Sequence, residues 1–225
     1  MSKRLATILA ATILGAGPAW AEGAYPEPGR PWNQGDYVDF YFMHFNGSQP
    51  LPYLRKEPQK AVFERLVDRA NIDRIVAADA SIAQKIRQVD LILAITGEAR
   101  ASYNYQVALG EPLQQELTDI QVFALYLVDV AAELAAEGGR PPSLSWATTY
   151  SGVVHSLSEY SIYSTRQRQQ LAEALFEHYP ALGPSLNGDE RQELKATLAH
   201  AMAGETDEDV KAVQVRLLKA VTGLD

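Results

Sequence analysis

The sequence predicts an all-α protein: a single multi-helix bundle of about six to eight helices with a Pro/aromatic-rich N-terminal arm. Two observations lead to this fold class. From residue 58 onward, apolar residues recur at helical spacing in nearly every segment, and no strand alternation competes with the helical spacing after residue 164. Glycine and proline residues stand between these segments, where they end helices.

Residues 1–21 are expected to be a cleaved secretory signal peptide. Lys3 and Arg4 give a positively charged start, residues 5–14 form an uncharged apolar run, and the segment closes on Ala-Trp-Ala. We therefore expect cleavage after Ala21 and export to the periplasm or beyond. The apolar run is shorter than the roughly 20 residues that span a bilayer, so no stable membrane insertion is expected after cleavage.

Charge and composition limit the classes of partner. The chain has 225 residues, with 20 Lys and Arg against 28 Asp and Glu, a net charge of -8, and no cysteine. Loss of Lys3 and Arg4 with the signal peptide makes the surface still more acidic. Phosphate backbones require a basic surface, so no nucleic-acid partner is expected. Without disulfides, stability must come from packing of the apolar residues, which make up 47% of the chain.

Residues 22–57 are expected to form an arm that packs on the helical core. Six prolines between residues 22 and 58 prevent a long helix, and the many aromatic side chains are too apolar to remain in water. Within the arm, the spacing over residues 38–45 predicts a short helix with Asp36 as N-cap and a stop at Asn46. The same residues also fit a strand.

Residues 58–225 are expected to form the helical domain. Its first part, to about residue 96, is predicted as one bent helix or two helices, with a break near residues 71–79. Gly97 interrupts the pattern. Residues 102–110 are therefore predicted to form either a further helix or the irregular end of the preceding one. The clearest helix then begins at Pro112 and ends at a Gly-Gly pair.

Four segments make up the rest of the domain. Residues 143–164 are rich in Ser, Thr and Tyr and keep helical spacing, although their β-branched and aromatic residues also fit a strand. Three short helices are predicted after them, over residues 165–179 before Pro180, over residues 189–203 before Gly204, and after Thr206 up to Gly223.

The common signatures of catalysis and cofactor binding are absent. The chain contains no G-x-S-x-G, H-E-x-x-H, Walker, G-x-G-x-x-G or C-x-x-C motif. A zinc site without cysteine would require most of the four histidines to converge. We therefore expect no metal site and no cofactor. His178 and His200 are assigned to the last turns of helices, where they complement exposed carbonyl groups.

One helical face carries a triad-like order of side chains. Ser151, His155 and Glu159 share a face if residues 143–164 form one helix, with Tyr163 one turn further. The order hydroxyl, imidazole, carboxylate is that of a catalytic triad. A single helix offers no oxyanion donors, because its interior amides are already bonded. This pattern therefore favours a role for His155 in packing or in contact with a ligand, and no catalytic residue is assigned.

Tyrosine is the remaining compositional feature, with 11 in the chain. Such amphipathic rings are favoured at interfaces and in ligand pockets, and they also occur as core residues whose hydroxyl reaches solvent. The candidate binding residues are His155, Glu159, Tyr103, Tyr105, Tyr150, Tyr160 and Tyr163.

Three functional hypotheses follow from these observations. The first is an exported, non-enzymatic helical binding protein that acts through a protein partner, such as an inhibitor, an immunity protein or a secretion chaperone. The second is a periplasmic carrier with an aromatic cavity for a small ligand. The third is an envelope hydrolase that uses glutamate or the Ser/His/Glu face.

Overall fold

The computed structural model describes residues 30–46, 49–139 and 143–223. The expected signal peptide, its cleavage site after Ala21 and residues 22–29 of the arm lie outside these residues. The described elements are α1 (Gln34–Tyr41), a π-helical turn (Phe42–Asn46), α2 (Gln59–Leu66), α3 (Ala70–Ala77), α4 (Ile82–Ala108), α5 (Gln114–Glu137), α6 (Leu144–Ser156), α7 (Thr165–Leu182), a 3-10 turn (Gly183–Ser185), α8 (Gly188–Gly204) and α9 (Glu208–Thr222).

The predicted all-α class is confirmed. The described residues contain no strand, and from α2 onward they form eight α-helices that pack as a bundle. Helix α5 is central, because it packs along α4 on one side and α7 on the other and also contacts α6. Its broad apolar stripe, from Leu117 to Ala135, is buried accordingly. None of the described helices combines the length and the apolar character needed to cross a membrane.

Helix α4 differs from the sequence prediction, because it runs without interruption through Gly97. The glycine lies on the exposed side of the helix, where an added Cβ would meet no atom within 4 Å. Buried side chains before and after it, among them Ile92, Ile95 and Tyr103, hold the helix against the core. Tertiary packing therefore outweighs the low helix propensity of one exposed glycine.

Helix α7 also extends further than predicted, since Pro180 lies inside it rather than after it. The proline is exposed and stands near the last turn, where the loss of one backbone donor costs least. Tyr179 and Leu182 on either side are buried and anchor this turn to the bundle. The packing of these neighbours thus keeps Pro180 within the helix.

The N-terminal segment that is described, residues 30–46, packs against the bundle. Helix α1 begins after Asn33, with Asp36 completing a capping box instead of acting as the N-cap. Trp32 and Tyr37 are buried, and their rings meet edge to face. Asn71 fastens this segment, because its Oδ1 accepts from the Trp32 backbone N–H and its Nδ2 donates to the Tyr37 hydroxyl.

A buried ion pair ties α7 to the connection between α8 and α9. Arg168 donates from Nε and Nη2 to the two carboxylate oxygens of Glu205, at 2.8 and 2.9 Å. Glu205 also accepts the backbone N–H groups of Thr206 and Asp207. The remaining Nη1 of Arg168 donates to the carbonyl of Tyr163, so this pair also fixes the chain just before α7.

Candidate functional site

A polar cleft opens where α4, α5, α6 and the connection between α6 and α7 meet. Its volume is about 290 Å³, and its lining combines charged, amide and hydroxyl groups with two apolar side chains. The lining residues are Arg100, Ala101, Asn104, Leu117, Gln121, Gly152, His155, Ser156, Glu159 and Tyr163.

Helix α4 contributes the cationic wall of the cleft. Ala99 and Tyr103 of this helix face the core, which leaves Arg100, Ala101 and Asn104 on the adjacent side toward the cleft. The Arg100 guanidinium lies against the α6 backbone at Gly152, so closely that a Cβ at that position would be 2.6 Å from Nη1. In the described part of the chain Arg100 takes part in no ion pair.

Helix α5 contributes the buried amide of Gln121, one turn after Leu117. The Gln121 Nε2 donates to the Tyr163 hydroxyl at 2.5 Å. Its Oε1 is buried and finds no hydrogen-bond partner among the described residues. A buried acceptor without a partner is uncommon in folded proteins.

The end of α6 and the connection after it position the remaining groups. Helix α6 ends at Ser156, and the backbone N–H of Glu159 then donates to the Ser156 carbonyl at 3.2 Å. The N–H of Tyr163 in turn donates to the Glu159 carbonyl at 3.1 Å. Ser164 caps α7, so two turns and a helix start hold Glu159 and Tyr163 in place.

The Tyr163 phenol is neutral at physiological pH. Burial raises the pKa of Tyr163 above its ordinary value of 10.0, and the nearby Glu159 charge raises it further. Hydrogen bonds with Ser156 and Gln121 and the charge of Arg100 act in the opposite direction, with a smaller effect. The hydroxyl therefore serves as a neutral hydrogen-bonding group in the cleft.

Three of the residues selected from the sequence lie together at this cleft: His155, Glu159 and Tyr163. His155 is exposed at the rim, Glu159 is half-buried and Tyr163 is buried. Arg100 and Gln121 are not among the residues selected from the sequence, and both lie on other helices. A single sequence contains no signal that brings α4 and α5 to this point, because their apolar spacing specifies only their own buried faces.

The other selected tyrosines lie elsewhere, and three of them join elements of the fold. The buried Tyr103 donates to the Pro52 carbonyl at 2.6 Å, and the buried Tyr150 donates to the Leu175 carbonyl of α7. Tyr160 donates to the Ala201 carbonyl of α8 at 2.5 Å. Tyr105 is 63% exposed near the end of α4. The cleft is therefore not an aromatic cavity that gathers these rings.

The triad-like face of Ser151, His155 and Glu159 does not exist as one helical face. Helix α6 ends at Ser156, so Glu159 follows a turn instead of the next helical position. The side chain of His155 makes no hydrogen bond with either residue in the described part of the chain. Glycine and proline are absent between residues 153 and 164, so the sequence gives no sign of this helix end.

The two histidines assigned to helix ends differ from each other. Neither α7, which continues to Leu182, nor α8, which continues to Gly204, has a basic residue in its last turn, so the assignment of His178 and His200 to the last turns is wrong. His200 is exposed on α8. His178 is buried and contacts Asp129 of α5, with 2.8 Å between Nδ1 and Oδ2. Within residues 30–46, 49–139 and 143–223, no group of three His, Asp or Glu side chains is arranged to hold a metal ion.

A second cavity, of about 180 Å³, lies beside α5 and is lined by Val67, Arg69, Asp119, Val122 and Phe123. The carboxylate of Asp119 already accepts from the side-chain amides of Gln115 and Gln170. Burial raises the pKa of Asp119, which these two hydrogen bonds oppose. The Asp119 carboxylate thus has hydrogen-bond donors within the protein, whereas Arg100 has no ion-pair partner and the Gln121 Oε1 no donor among the described residues.

Comparison with known proteins adds no relative: no protein-family model, no curated protein and no solved structure matches this chain. Function must therefore be inferred from the residues of the cleft themselves.

Proposed function

We propose that this protein binds a small polar solute with a carboxylate group in the cleft between α4, α5 and α6. The observation that supports the proposal is the Arg100 guanidinium, which forms part of the cleft wall and has no ion-pair partner among the described residues. Arginine presents its N–H groups as a rigid fork that matches a carboxylate with two parallel hydrogen bonds.

The size and charge of the cleft limit the ligand. A volume of about 290 Å³ is at the lower end for ligand pockets, so the ligand is small. One cation and one carboxylate, Arg100 and Glu159, line the cleft. A multiply charged anion such as a phosphate ester would meet the Glu159 charge, whereas a single carboxylate is balanced by Arg100.

Binding is a better account of these residues than hydrolysis. A nucleophile requires a base within hydrogen-bond reach and a third group that orients the base. The Ser156 hydroxyl, the only serine hydroxyl that lines the cleft, donates instead to the Gly152 carbonyl at 3.3 Å. His155 lies at the exposed rim without a carboxylate partner in the described residues.

The proposal is tested with the purified protein and a panel of small carboxylic acids, each paired with its neutral amide. A ligand that binds only the folded state raises the Tm, and isothermal titration calorimetry gives the Kd. We expect acids to bind, their amides to bind less, and the R100Q variant to bind acids about tenfold more weakly, since that corresponds to one charge-assisted hydrogen bond.

Arg87 provides the matched control, because it is an exposed arginine of the same helix outside the cleft. R87Q has the same change of charge and should bind as the wild type does. Binding that is equal in R100Q and R87Q, or an absence of binding by every acid of the panel, contradicts the proposal.

A protein partner is a second candidate function, favoured by two exposed side chains. Tyr105 and Leu109 are each 63% exposed and stand one turn apart near the end of α4. Large exposed apolar groups of this kind are enriched at protein interfaces. An inhibitor, an immunity protein or a secretion chaperone should retain a stoichiometric partner in a pull-down, and the double variant Y105S/L109S should fail to retain it.

Export to the periplasm is part of the same proposal and rests on the sequence of residues 1–21. Fractionation of the producing cells and N-terminal mass spectrometry test it. We expect a periplasmic protein that begins at Glu22, and an intact Met1 in the cytoplasmic fraction contradicts this.

A further inference from the structure

The geometry points to a zwitterionic ligand for this cleft: a molecule of about amino-acid size that carries both a carboxylate and a protonated amine. The inference rests on the proposed function, because the carboxylate is the group that Arg100 receives. It adds the second charge of the ligand and names the residues that receive it, Glu159 and Gln121.

Charges of both signs line the cleft without pairing to each other. Glu159 lines the cleft and, like Arg100, takes part in no ion pair within residues 30–46, 49–139 and 143–223. Because Arg100 and Glu159 form no ion pair with each other, each can pair with a group of opposite charge on a ligand. A ligand with one charge of each sign satisfies both, and any ligand with a single charge leaves one without a partner.

The α5 wall adds a buried acceptor. Gln121 is 1% exposed, and its Nε2 is committed to the Tyr163 hydroxyl. Its Oε1 has no partner among the described residues. An ammonium group has three N–H donors and no acceptor. It can donate to the Glu159 carboxylate and, once the Gln121 side chain turns its buried Oε1 toward the cleft, to that oxygen as well.

Tyr163 lines the same cleft as the two charged residues. Burial raises the pKa of Tyr163, the Glu159 carboxylate adds to this rise, and the Arg100 guanidinium opposes it. Because Arg100 and Glu159 line one cleft of about 290 Å³, the two recognition groups can act on one small molecule. A dicarboxylate fits less well, since its second charge would approach Glu159.

The experiment compares three forms of each amino acid by isothermal titration calorimetry with the full protein. The free L-amino acid has both charges, its N-acetyl derivative keeps only the carboxylate, and its amide keeps only the ammonium group. We expect some free amino acids to bind about tenfold more tightly than both derivatives, because each derivative lacks one charged group that the cleft receives.

Two variants assign the charges to residues. In E159Q the free amino acid and its N-acetyl derivative should bind within about twofold of each other, because the partner of the ammonium group is gone. In R100Q the affinities of the free amino acid and of its amide should likewise lie within about twofold of each other, because the partner of the carboxylate is gone. E177Q, at an exposed glutamate of α7, and R87Q are the matched controls and should keep the wild-type preference.

The outcomes separate this inference from the proposed function. If N-acetyl derivatives or simple carboxylic acids bind as tightly as free amino acids, the zwitterion preference is wrong and the carboxylate site remains. If E159Q keeps the wild-type preference for the free amine, the assignment to Glu159 is wrong. If neither amino acids nor carboxylic acids bind at about 10 mM, both proposals fail.

Discussion

The Arg100 guanidinium lies on the backbone of Gly152, where a Cβ would come within 2.6 Å of Nη1 and 3.2 Å of Nη2. The glycine thus provides the space in which the arginine reaches the cleft. The contact joins α4 to α6 and sets the position of the cationic group that the proposed ligand requires.

The first prediction concerns this contact. In G152A the new methyl group displaces the end of the Arg100 side chain, which is flexible, so we expect folding to survive. Alanine improves helix propensity by about 1 kcal/mol, which offsets the cost of moving the guanidinium. Carboxylate affinity should fall about tenfold in the calorimetric assay, because Arg100 no longer occupies its place.

G97A is the matched control, since Gly97 also lies within a helix and an added Cβ there meets nothing within 4 Å. It should raise the free energy of unfolding by about 0.5 to 1 kcal/mol and leave ligand affinity unchanged. Equal affinities in G152A and G97A would show that Gly152 does not position Arg100.

The second prediction concerns the buried pair of Arg168 and Glu205, whose side chains are 7% and 0% exposed. E205Q leaves the guanidinium buried without its counter-charge, which costs about 3 to 5 kcal/mol of unfolding free energy in comparable pairs. Denaturant unfolding measures the change. The exposed pair of Lys60 and Glu64 is the control, and E64Q should cost less than about 0.5 kcal/mol.

The third prediction is that the contribution of the Arg168–Glu205 pair to the free energy of unfolding depends on pH. The hydrogen-bonded guanidinium of Arg168, assisted by the backbone N–H groups of Thr206 and Asp207, holds the pKa of Glu205 below its ordinary value of 4.5. A carboxyl with a lowered pKa in the folded state contributes stability above its unfolded pKa, and this contribution disappears as the pH falls through the folded pKa.

Unfolding free energies of the wild type and E205Q, measured from about pH 7 to pH 3, check this prediction. The difference between the two proteins should be constant at neutral pH and should narrow below about pH 4.5. A difference that stays constant down to pH 3 would mean that Glu205 does not titrate against Arg168.

The fold class could be predicted because each segment carries its own helical periodicity. Single glycine and proline residues predicted the ends of the helices less well. Gly97 and Pro180 predict interruptions, yet α4 and α7 pass through both, since buried neighbours on each side supply more free energy than one weak position costs. The end of α6 at Ser156 could not be predicted for the converse reason, because no breaker marks it.

The candidate site could be predicted only in part. His155, Glu159 and Tyr163 are close in sequence, and their shared location followed from local spacing even though the assumed single helix was wrong. Arg100 and Gln121 reach the cleft through the packing of α4 against α5 and of α5 against α6, which depends on the whole core. In the sequence, their charge and amide resemble those of ordinary helix-surface residues.

The last prediction separates structural tyrosines from exposed ones. The Tyr150 hydroxyl, buried between α6 and α7, donates to the Leu175 carbonyl, and burial raises the pKa of Tyr150 well above 10.0. Y150F removes the donor and keeps the ring, so the free energy of unfolding should fall by about 1 kcal/mol. Y105F, at a tyrosine that is 63% exposed, should change it by less than about 0.5 kcal/mol.

Ligand binding adds a second readout to this pair. Neither Tyr150 nor Tyr105 lines the cleft, so both variants should keep the wild-type affinity for the carboxylate probe. Y163F, by contrast, removes the hydroxyl that accepts from Gln121 and should weaken binding. A fall in affinity in Y150F that matches the fall in Y163F would place the ligand beside α7 instead of in the cleft.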